Sequence, residues 1–124
     1  MEYSVEVINL SKSYGKKDAV RGIDFKIKEN EIIGLLGPNG CGKTTTIGML
    51  LGLLKPSKGQ ININGMKIEE NRIEILQKIN FISPYIELPK KLTVEQNLVV
   101  YGKLYSVKNL KSRIEYLTSK LRLE

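Results

Sequence analysis

The segment that most constrains this chain is a glycine-rich loop at residues 37–44, which reads Gly-Pro-Asn-Gly-Cys-Gly-Lys-Thr. Its spacing is that of the phosphate-binding loop, G-x-x-x-x-G-K-[ST]. The apolar run 32–36 precedes the loop and predicts a buried strand. Residues 45–51 follow it with apolar positions that suit a helix packed on a sheet. Strand, glycine loop and helix in this order indicate a site for a phosphate chain.

The residue types of the loop explain how it would hold phosphates. Gly37, Gly40 and Gly42 can adopt backbone angles that a β-carbon disfavours, so the loop can wrap closely and point its N–H groups inward. The following helix adds the unsatisfied N–H groups and the positive dipole end of its N-terminus. We expect Lys43 to reach the β- and γ-phosphates and the Thr44 hydroxyl to bind Mg²⁺. The predicted nucleotide-binding segment also includes Pro38, Asn39, Cys41 and Thr45.

The bulk composition predicts one domain, or a piece of one, without nucleic acid as its partner. The chain has 124 residues, 41% of them hydrophobic, and a formal net charge of +7. Its basic residues are scattered and lack the interleaved aromatic residues of an RNA-binding sheet, which favours a solvated surface.

Cysteine and histidine usage excludes several site classes. Cys41 is the only cysteine, so an internal disulfide is impossible. The sequence has no histidine, which excludes histidine catalysis and a cysteine–histidine zinc site. The N-terminus lacks a signal-peptide pattern, and no stretch approaches membrane-spanning length without charges. We therefore expect a chain that is not integral to a bilayer by itself.

The segments around the loop predict a mixture of strands and helices. Alternation predicts strands at 4–10 and 23–28, antiparallel to each other, with a polar turn at 11–17 between them. A further strand at 61–63 is predicted to turn at Gly65 as in a hairpin. Residues 68–77 predict a helix and 79–82 a short strand.

The C-terminal third predicts two helices. Thr93 and Gln96 have the spacing of a capping box at a helix start. An apolar face is predicted to follow in that helix, formed by Val94, Leu98, Tyr101 and Tyr105. A second helix is predicted within 110–123.

Four local features together resemble the ATP-binding domain of the ABC transporter family. Residues 37–45 are close to the family's phosphate loop, or Walker A segment, and 53–61, followed by Asn64-Gly65, resemble its post-helix segment. Residues 92–98 resemble the start of its helical subdomain. Tyr14 stands where the family has an aromatic residue that stacks on adenine, and an aromatic face of this kind can contribute about 1 kcal/mol.

The resemblance implies an α/β fold of the P-loop NTPase class, with a RecA-like core and an antiparallel β subdomain. It implies ATP and Mg²⁺ as ligands, with Thr44 as the metal-binding residue. It further implies a membrane permease subunit and a second ATP-binding domain as partners. The expected location is the cytoplasmic side of the cell membrane, reached through the permease.

The sequence departs from the family pattern in two respects. Pro84 stands where the family has a glutamine that touches Mg²⁺ and the membrane partner, and proline cannot ligate a metal. No signature segment, Walker B aspartate–glutamate pair or switch histidine occurs. We therefore expect residues 1–124 to form the N-terminal portion of such a domain, truncated before these segments. The first part of the helical subdomain is expected at about residues 93–124. No catalytic residue is predicted within the chain.

Three functional readings stay open at this stage. The chain is the ATPase subunit of a transporter or a fragment of one, a soluble ABC-type ATPase of translation or DNA repair, or a truncated nucleotide-binding piece without catalytic activity. ATPase activity is expected only as part of a complete domain.

Overall fold

The computed structural model describes residues 3–83 and 87–123, which divide into two compact units, Met1–Phe81 and Ile82–Glu124. The described part of the first unit contains, in chain order, β1 (Tyr3–Tyr14), β2 (Lys17–Lys28), α1 (Lys43–Leu50), β3 (Lys58–Ile63), β4 (Met66–Lys67) and α2 (Arg72–Leu76). The described part of the second unit contains α3 (Val94–Leu104) and α4 (Leu110–Leu121).

The four strands form one antiparallel sheet in the order β2-β1-β3-β4. The predicted antiparallel pairing of the first two strands is confirmed, but the predicted turn at 11–17 is too long. Only Gly15 and Lys16 separate β1 from β2, and Gly15 has a φ of 59°. Polar residues continue the ladder because they pair across it: Ser13 opposes Asp18, and its hydroxyl donates to that carboxylate at 2.8 Å.

The β3–β4 hairpin is predicted correctly. Its two turn residues, Asn64 and Gly65, have φ angles of 49° and 74°. Positive φ at both positions suits the turn type that matches the twist of paired strands.

The hydrophobic core of the first unit lies between the sheet and its two helices. The strands contribute Val7, Leu10, Val20, Ile61 and Ile63, while the helices contribute Met49 and Ile75. Because Met49 is fully buried in this cluster, the core holds α1 against the sheet. The N-terminus of α1 is thereby fixed beside β2, where the glycine loop ends.

A polar group links the central strand β1 to both of its neighbours. A carboxylate oxygen of Glu6 lies 2.6 Å from the ammonium of Lys26 on β2, and the other accepts from the Asn62 amide on β3 at 3.1 Å. These hydrogen bonds, that from Lys26 first, lower the pKa of Glu6 below its ordinary value.

The strands predicted at 32–36 and 79–82 are wrong, and both would belong to the expected RecA-like core. Residues 32–36 and 79–82 form no strand. A central parallel strand obtains its hydrogen bonds and its burial from neighbouring strands and covering helices. Within the described ranges, no strand pairs with either segment, and Ile32 and Leu36 are 99% and 91% exposed.

The predicted helix at 68–77 is also shorter than expected. The β3–β4 hairpin uses Met66 and Lys67, and the Ile68 N–H then bonds to the carbonyl of Ile61 at 3.1 Å. That tertiary bond holds Ile68 outside the helix, so α2 covers only Arg72–Leu76.

The second unit begins with the predicted capping box. The Gln96 N–H donates to the Thr93 hydroxyl at 3.2 Å, and the Thr93 N–H donates to the Gln96 side chain at 2.9 Å. The predicted apolar face of α3 is only partly correct. Val94 and Tyr101 are exposed, and the buried positions include Gly102.

Gly102 explains why the buried face of α3 differs from the predicted one. A β-carbon there would collide with the side chain of Leu110, so α4 packs closely against that side of α3. Among the described helices, none has the length and apolar content that crossing a membrane requires.

Candidate functional site

The glycine loop joins α1 at Gly42, a position whose backbone geometry favours glycine. Gly42 precedes the first residue of α1 with a φ of 94°, in the left-handed region. A β-carbon at this position would collide with the carbonyl oxygen of Ala19 on β2. Gly40 also has a left-handed φ, 81°, whereas a β-carbon on Gly37 would lie 2.6 Å from the sulfur of Cys41. The loop therefore packs tightly against the beginning of β2.

The start of α1 leaves backbone donors at the loop. The first bond of the helix runs from the Thr46 N–H to the Gly42 carbonyl at 2.8 Å. The N–H groups of residues 43–45 come before this bond and have no partner inside the helix. No side chain caps them and no acidic residue lies in the first turn, whereas α3 has both a capping box and Glu95. The start of α1 thus retains the donors and positive potential that bind an anion.

The side chain of Lys43 folds back across the loop. Its ammonium donates to the carbonyl oxygens of Gly37 at 2.5 Å and Pro38 at 2.7 Å. A third contact joins it to the sulfur of Cys41 at 3.7 Å. A thiol is a weak acceptor, so an anion would be a better partner for this third donor. The two hydrogen bonds to carbonyl oxygens hold the positive charge of Lys43 close to the loop backbone.

Seven of the ten predicted nucleotide-binding residues line one cavity of about 340 Å³. They are Tyr14, Asn39, Gly40, Gly42, Lys43, Thr44 and Thr45. Of the other three, Gly37 and Pro38 accept hydrogen bonds from Lys43, and Cys41 is exposed and lines a second cavity. The side chain of Tyr14 is half exposed, and the ammonium of Lys12 lies 5.1 Å from its ring centroid.

Two further residues line this cavity that the sequence analysis does not single out. Lys17 and Ala19 alternate along the beginning of β2 and both reach the cavity. Lys17 lies in the segment 11–17 that is predicted to be a turn, and a turn would not show this alternation. Recognising the tight hairpin at Gly15 would have placed Lys17 beside Tyr14, because the two residues are paired across the ladder.

A second cavity of about 400 Å³ shares Gly40, Gly42 and Lys43 with the first. Besides Lys43 and the loop glycines, its lining includes Ile23, Leu35 and Leu36. A polyphosphate suits the smaller cavity better, because Lys17 and Lys43 line it without any carboxylate, whereas the larger cavity is lined by Asp18 and apolar side chains as well as by Arg21.

A preformed metal cage is absent from residues 3–83 and 87–123, where no three acidic, cysteine or histidine side chains cluster. The hydroxyl-bearing Thr44 lines the smaller cavity. Pro84, which stands in place of a metal-contacting glutamine, lies outside the described residues.

Comparison with known proteins identifies the family of this chain. The family model described as "ABC transporter" matches residues 20–124. The chain belongs to the ABC transporter family. It is 43% identical over 99 residues to the linearmycin resistance ATP-binding protein LnrL of Bacillus subtilis. This match covers 80% of this chain and 32% of LnrL. It is 40% identical over 110 residues to the bacitracin transport ATP-binding protein BcrA of Bacillus licheniformis, with 86% and 35% covered.

A solved structure gives the same result for the fold of this ABC family member. The ATP-binding subunit of an ABC transporter superposes with a TM-score of 0.83 at 29% identity, covering 96% of this chain and 50% of that one. The family and the P-loop NTPase fold class are therefore predicted correctly. The chain spans about a third of the length of the two sequence relatives.

Proposed function

We propose that this chain binds ATP through residues 37–45 and Tyr14, as the N-terminal portion, residues 1–124, of an ABC transporter ATP-binding domain. One observation carries the proposal. The N-terminus of α1, the ammonium of Lys43 and the ring of Tyr14 are brought to a single cavity of about 340 Å³, which is within the range of small-ligand sites.

Each group has a defined role in this proposal. The N–H groups at the start of α1 and the Lys43 ammonium bind the phosphate oxygens, while Tyr14 stacks on the adenine ring. Asn39 and Thr45 line the cavity beside them. The site fits Mg²⁺ as part of a complex with ATP, because Thr44 offers one hydroxyl and phosphate oxygens and water would complete the coordination.

Turnover is a separate matter from binding. Among the described residues that line the cavity, none is a carboxylate that could orient an attacking water. We expect this chain to bind nucleotide weakly and to release phosphate at a negligible rate. In a complete domain, the same groups would position ATP for hydrolysis, with a permease and a second ATP-binding domain as partners at the inner face of the membrane. The names of the two relatives, which concern resistance and transport, favour this role over a soluble ATPase of translation or DNA repair.

Cys41 provides the direct test of ATP binding. Cys41 lines the larger cavity, but its sulfur lies 3.7 Å from the Lys43 ammonium, so a phosphate that this ammonium binds from the smaller cavity would hinder access to the thiol. We expect alkylation of Cys41 to slow progressively as Mg-ATP is raised into the millimolar range, and adenosine at equal concentration to have little effect. The ATP concentration at half protection gives the dissociation constant even when binding is weak. An alkylation rate that ATP leaves unchanged at every concentration would contradict the proposed site.

Replacing Tyr14 with alanine tests the adenine contact. Aromatic stacking contributes about 0.5–1.5 kcal/mol, so we expect ATP affinity to fall roughly 2- to 10-fold. The affinity for inorganic triphosphate should not change, because that ligand has no base. Tyr116→Ala is the matched control, since Tyr116 on α4 is 52% exposed and Tyr14 is 50% exposed. An equal loss of affinity for ATP and triphosphate would remove the stacking role.

A further inference from the structure

The cavity that holds Lys43 has a second ammonium group in its lining, that of Lys17. Lys17 is exposed and stands at the beginning of β2. Within residues 3–83 and 87–123, no carboxylate lies within ion-pair distance of the Lys17 ammonium. Lys43, in contrast, is already held by the carbonyls of Gly37 and Pro38. Lys17 therefore offers the cavity a positive charge that no described acidic side chain neutralises.

The carboxylate closest to Lys17 in sequence, that of Asp18, is engaged elsewhere. Successive side chains of a strand point to opposite faces, and Asp18 lines the larger cavity but not the smaller one. Its carboxylate accepts from the Ser13 hydroxyl at 2.8 Å and lies 3.9 Å from Nε of Arg21. The charge of Lys17 is thus left for a ligand of the smaller cavity.

The strand pairing places Lys17 toward the end of the cavity where Tyr14 lies. Lys17 opposes Tyr14 in the β1–β2 ladder. Ala19 lies two residues further along β2, and its carbonyl contacts the loop at Gly42. Two residues of extended strand span about 7 Å, so the backbone of Lys17 is displaced by this distance from the loop contact toward Tyr14. Lys17 therefore lies between the group proposed for the base and the loop proposed for the phosphates.

We propose that Lys17 binds the α-phosphate of the nucleotide, the phosphate next to the ribose. This rests on the proposed function, because it requires ATP to lie in this cavity. The start of α1 and Lys43 bind the two terminal phosphates, and Lys17 binds the third phosphate counted from the loop. An ammonium donates more strongly to an ionised phosphate than to a neutral ribose hydroxyl. Lys17 is then a specificity residue that favours ligands with a chain of three phosphates over ligands with two.

Replacing Lys17 with alanine tests this role with three probes, the Mg²⁺ complexes of ATP, inorganic triphosphate and pyrophosphate. Protection of Cys41 from alkylation gives the concentration of each probe at half protection, relative to the variant's own rate without ligand. We expect this concentration to rise about 3- to 10-fold for ATP and triphosphate, a moderate effect because Lys17 is exposed. It should stay the same for pyrophosphate, whose two phosphates the start of α1 and Lys43 bind. An equal rise for all three probes would overturn the proposal.

Lys16→Ala is the matched control for the loss of one positive charge. Lys16 is the neighbouring residue in the hairpin turn, is exposed as Lys17 is, and does not line the cavity. We expect it to leave all three half-protection concentrations unchanged, and Lys17→Arg, which keeps the charge, to retain the affinity for ATP. Amide hydrogen exchange in β1 and β2 verifies that the hairpin forms in each variant. A loss of ATP affinity as large in Lys16→Ala as in Lys17→Ala would overturn the proposal.

The parent chain separates a failure of this proposal from a failure of ATP binding itself. If ATP protects Cys41 equally well in the parent and in Lys17→Ala, the role of Lys17 is refuted while the proposed function stands. If ATP does not protect Cys41 in the parent at any concentration, the proposed function is refuted and the role of Lys17 with it.

Discussion

Replacing Lys43 with alanine is expected to weaken ATP binding about 10- to 100-fold. The ammonium is held by the carbonyls of Gly37 and Pro38, so its charge is already positioned when the ligand arrives. A hydrogen bond to a charged group contributes about 1.5–3 kcal/mol, which corresponds to this range of affinity. The loss should be larger for ATP than for AMP, because the contact is to the terminal phosphates.

Protection of Cys41 from alkylation measures this effect. Since the Lys43 ammonium also lies 3.7 Å from the thiol, each variant is compared with its own alkylation rate without ATP. Lys111→Ala, in α4, controls for the general loss of one positive charge. If the ATP concentration for half protection is the same in the Lys43 variant as in the parent, the lysine does not bind phosphate. Any phosphate release that the Lys43 variant abolishes would instead contradict the expectation that this chain alone does not hydrolyse ATP.

The parts of the fold that the sequence predicts well are those with local causes. The Thr93–Gln96 capping box needs only two residues three positions apart, and the structure has both of its hydrogen bonds. The β3–β4 hairpin depends on Asn64 and Gly65, whose positive φ angles are a property of those residues. Short-range chemistry of this kind can be inferred from sequence because no distant segment is required.

The parts predicted wrongly depend on distant partners. Residues 32–36 have the composition of a central strand, but a strand exists only where another pairs with it. The described residues offer none, and the segment stays without a strand partner and exposed. The prediction of the apolar face of α3 is partly wrong for a related reason. Gly102 admits Leu110 of α4, a contact that the periodicity of α3 alone does not contain.

The candidate site combines both situations. The glycine spacing and Lys43 are local signals, and the structure places them at one helix N-terminus. Tyr14 entered through the family resemblance, while Lys17 and Ala19 were missed because their approach depends on the exact start of β2. The glycine loop and Lys43 can therefore be predicted from sequence, whereas the place of Lys17 and Ala19 at the cavity depends on where the β1–β2 hairpin turns.

Gly42→Ala is expected to lower the free energy of unfolding of the first unit by about 2–5 kcal/mol. Two costs add in this variant. A left-handed φ of 94° costs a residue with a β-carbon about 1–2 kcal/mol, and overpacking costs about 1–3 kcal/mol where the new carbon collides with the Ala19 carbonyl of β2. Moving the loop away from β2 would relieve the collision but would also displace the N–H groups that begin α1.

Gly40→Ala is the matched control because it carries only the first of these costs. Gly40 has a φ of 81°, but a β-carbon there would meet nothing within 4 Å. The difference between the two variants in the free energy of unfolding, measured with urea, thus isolates the contact between the loop and β2. ATP protection of Cys41 should be lost in the Gly42 variant at every concentration that protects the parent. Equal destabilisation by the two substitutions would mean that the contact between the loop and the Ala19 carbonyl of β2 does not stabilise the loop.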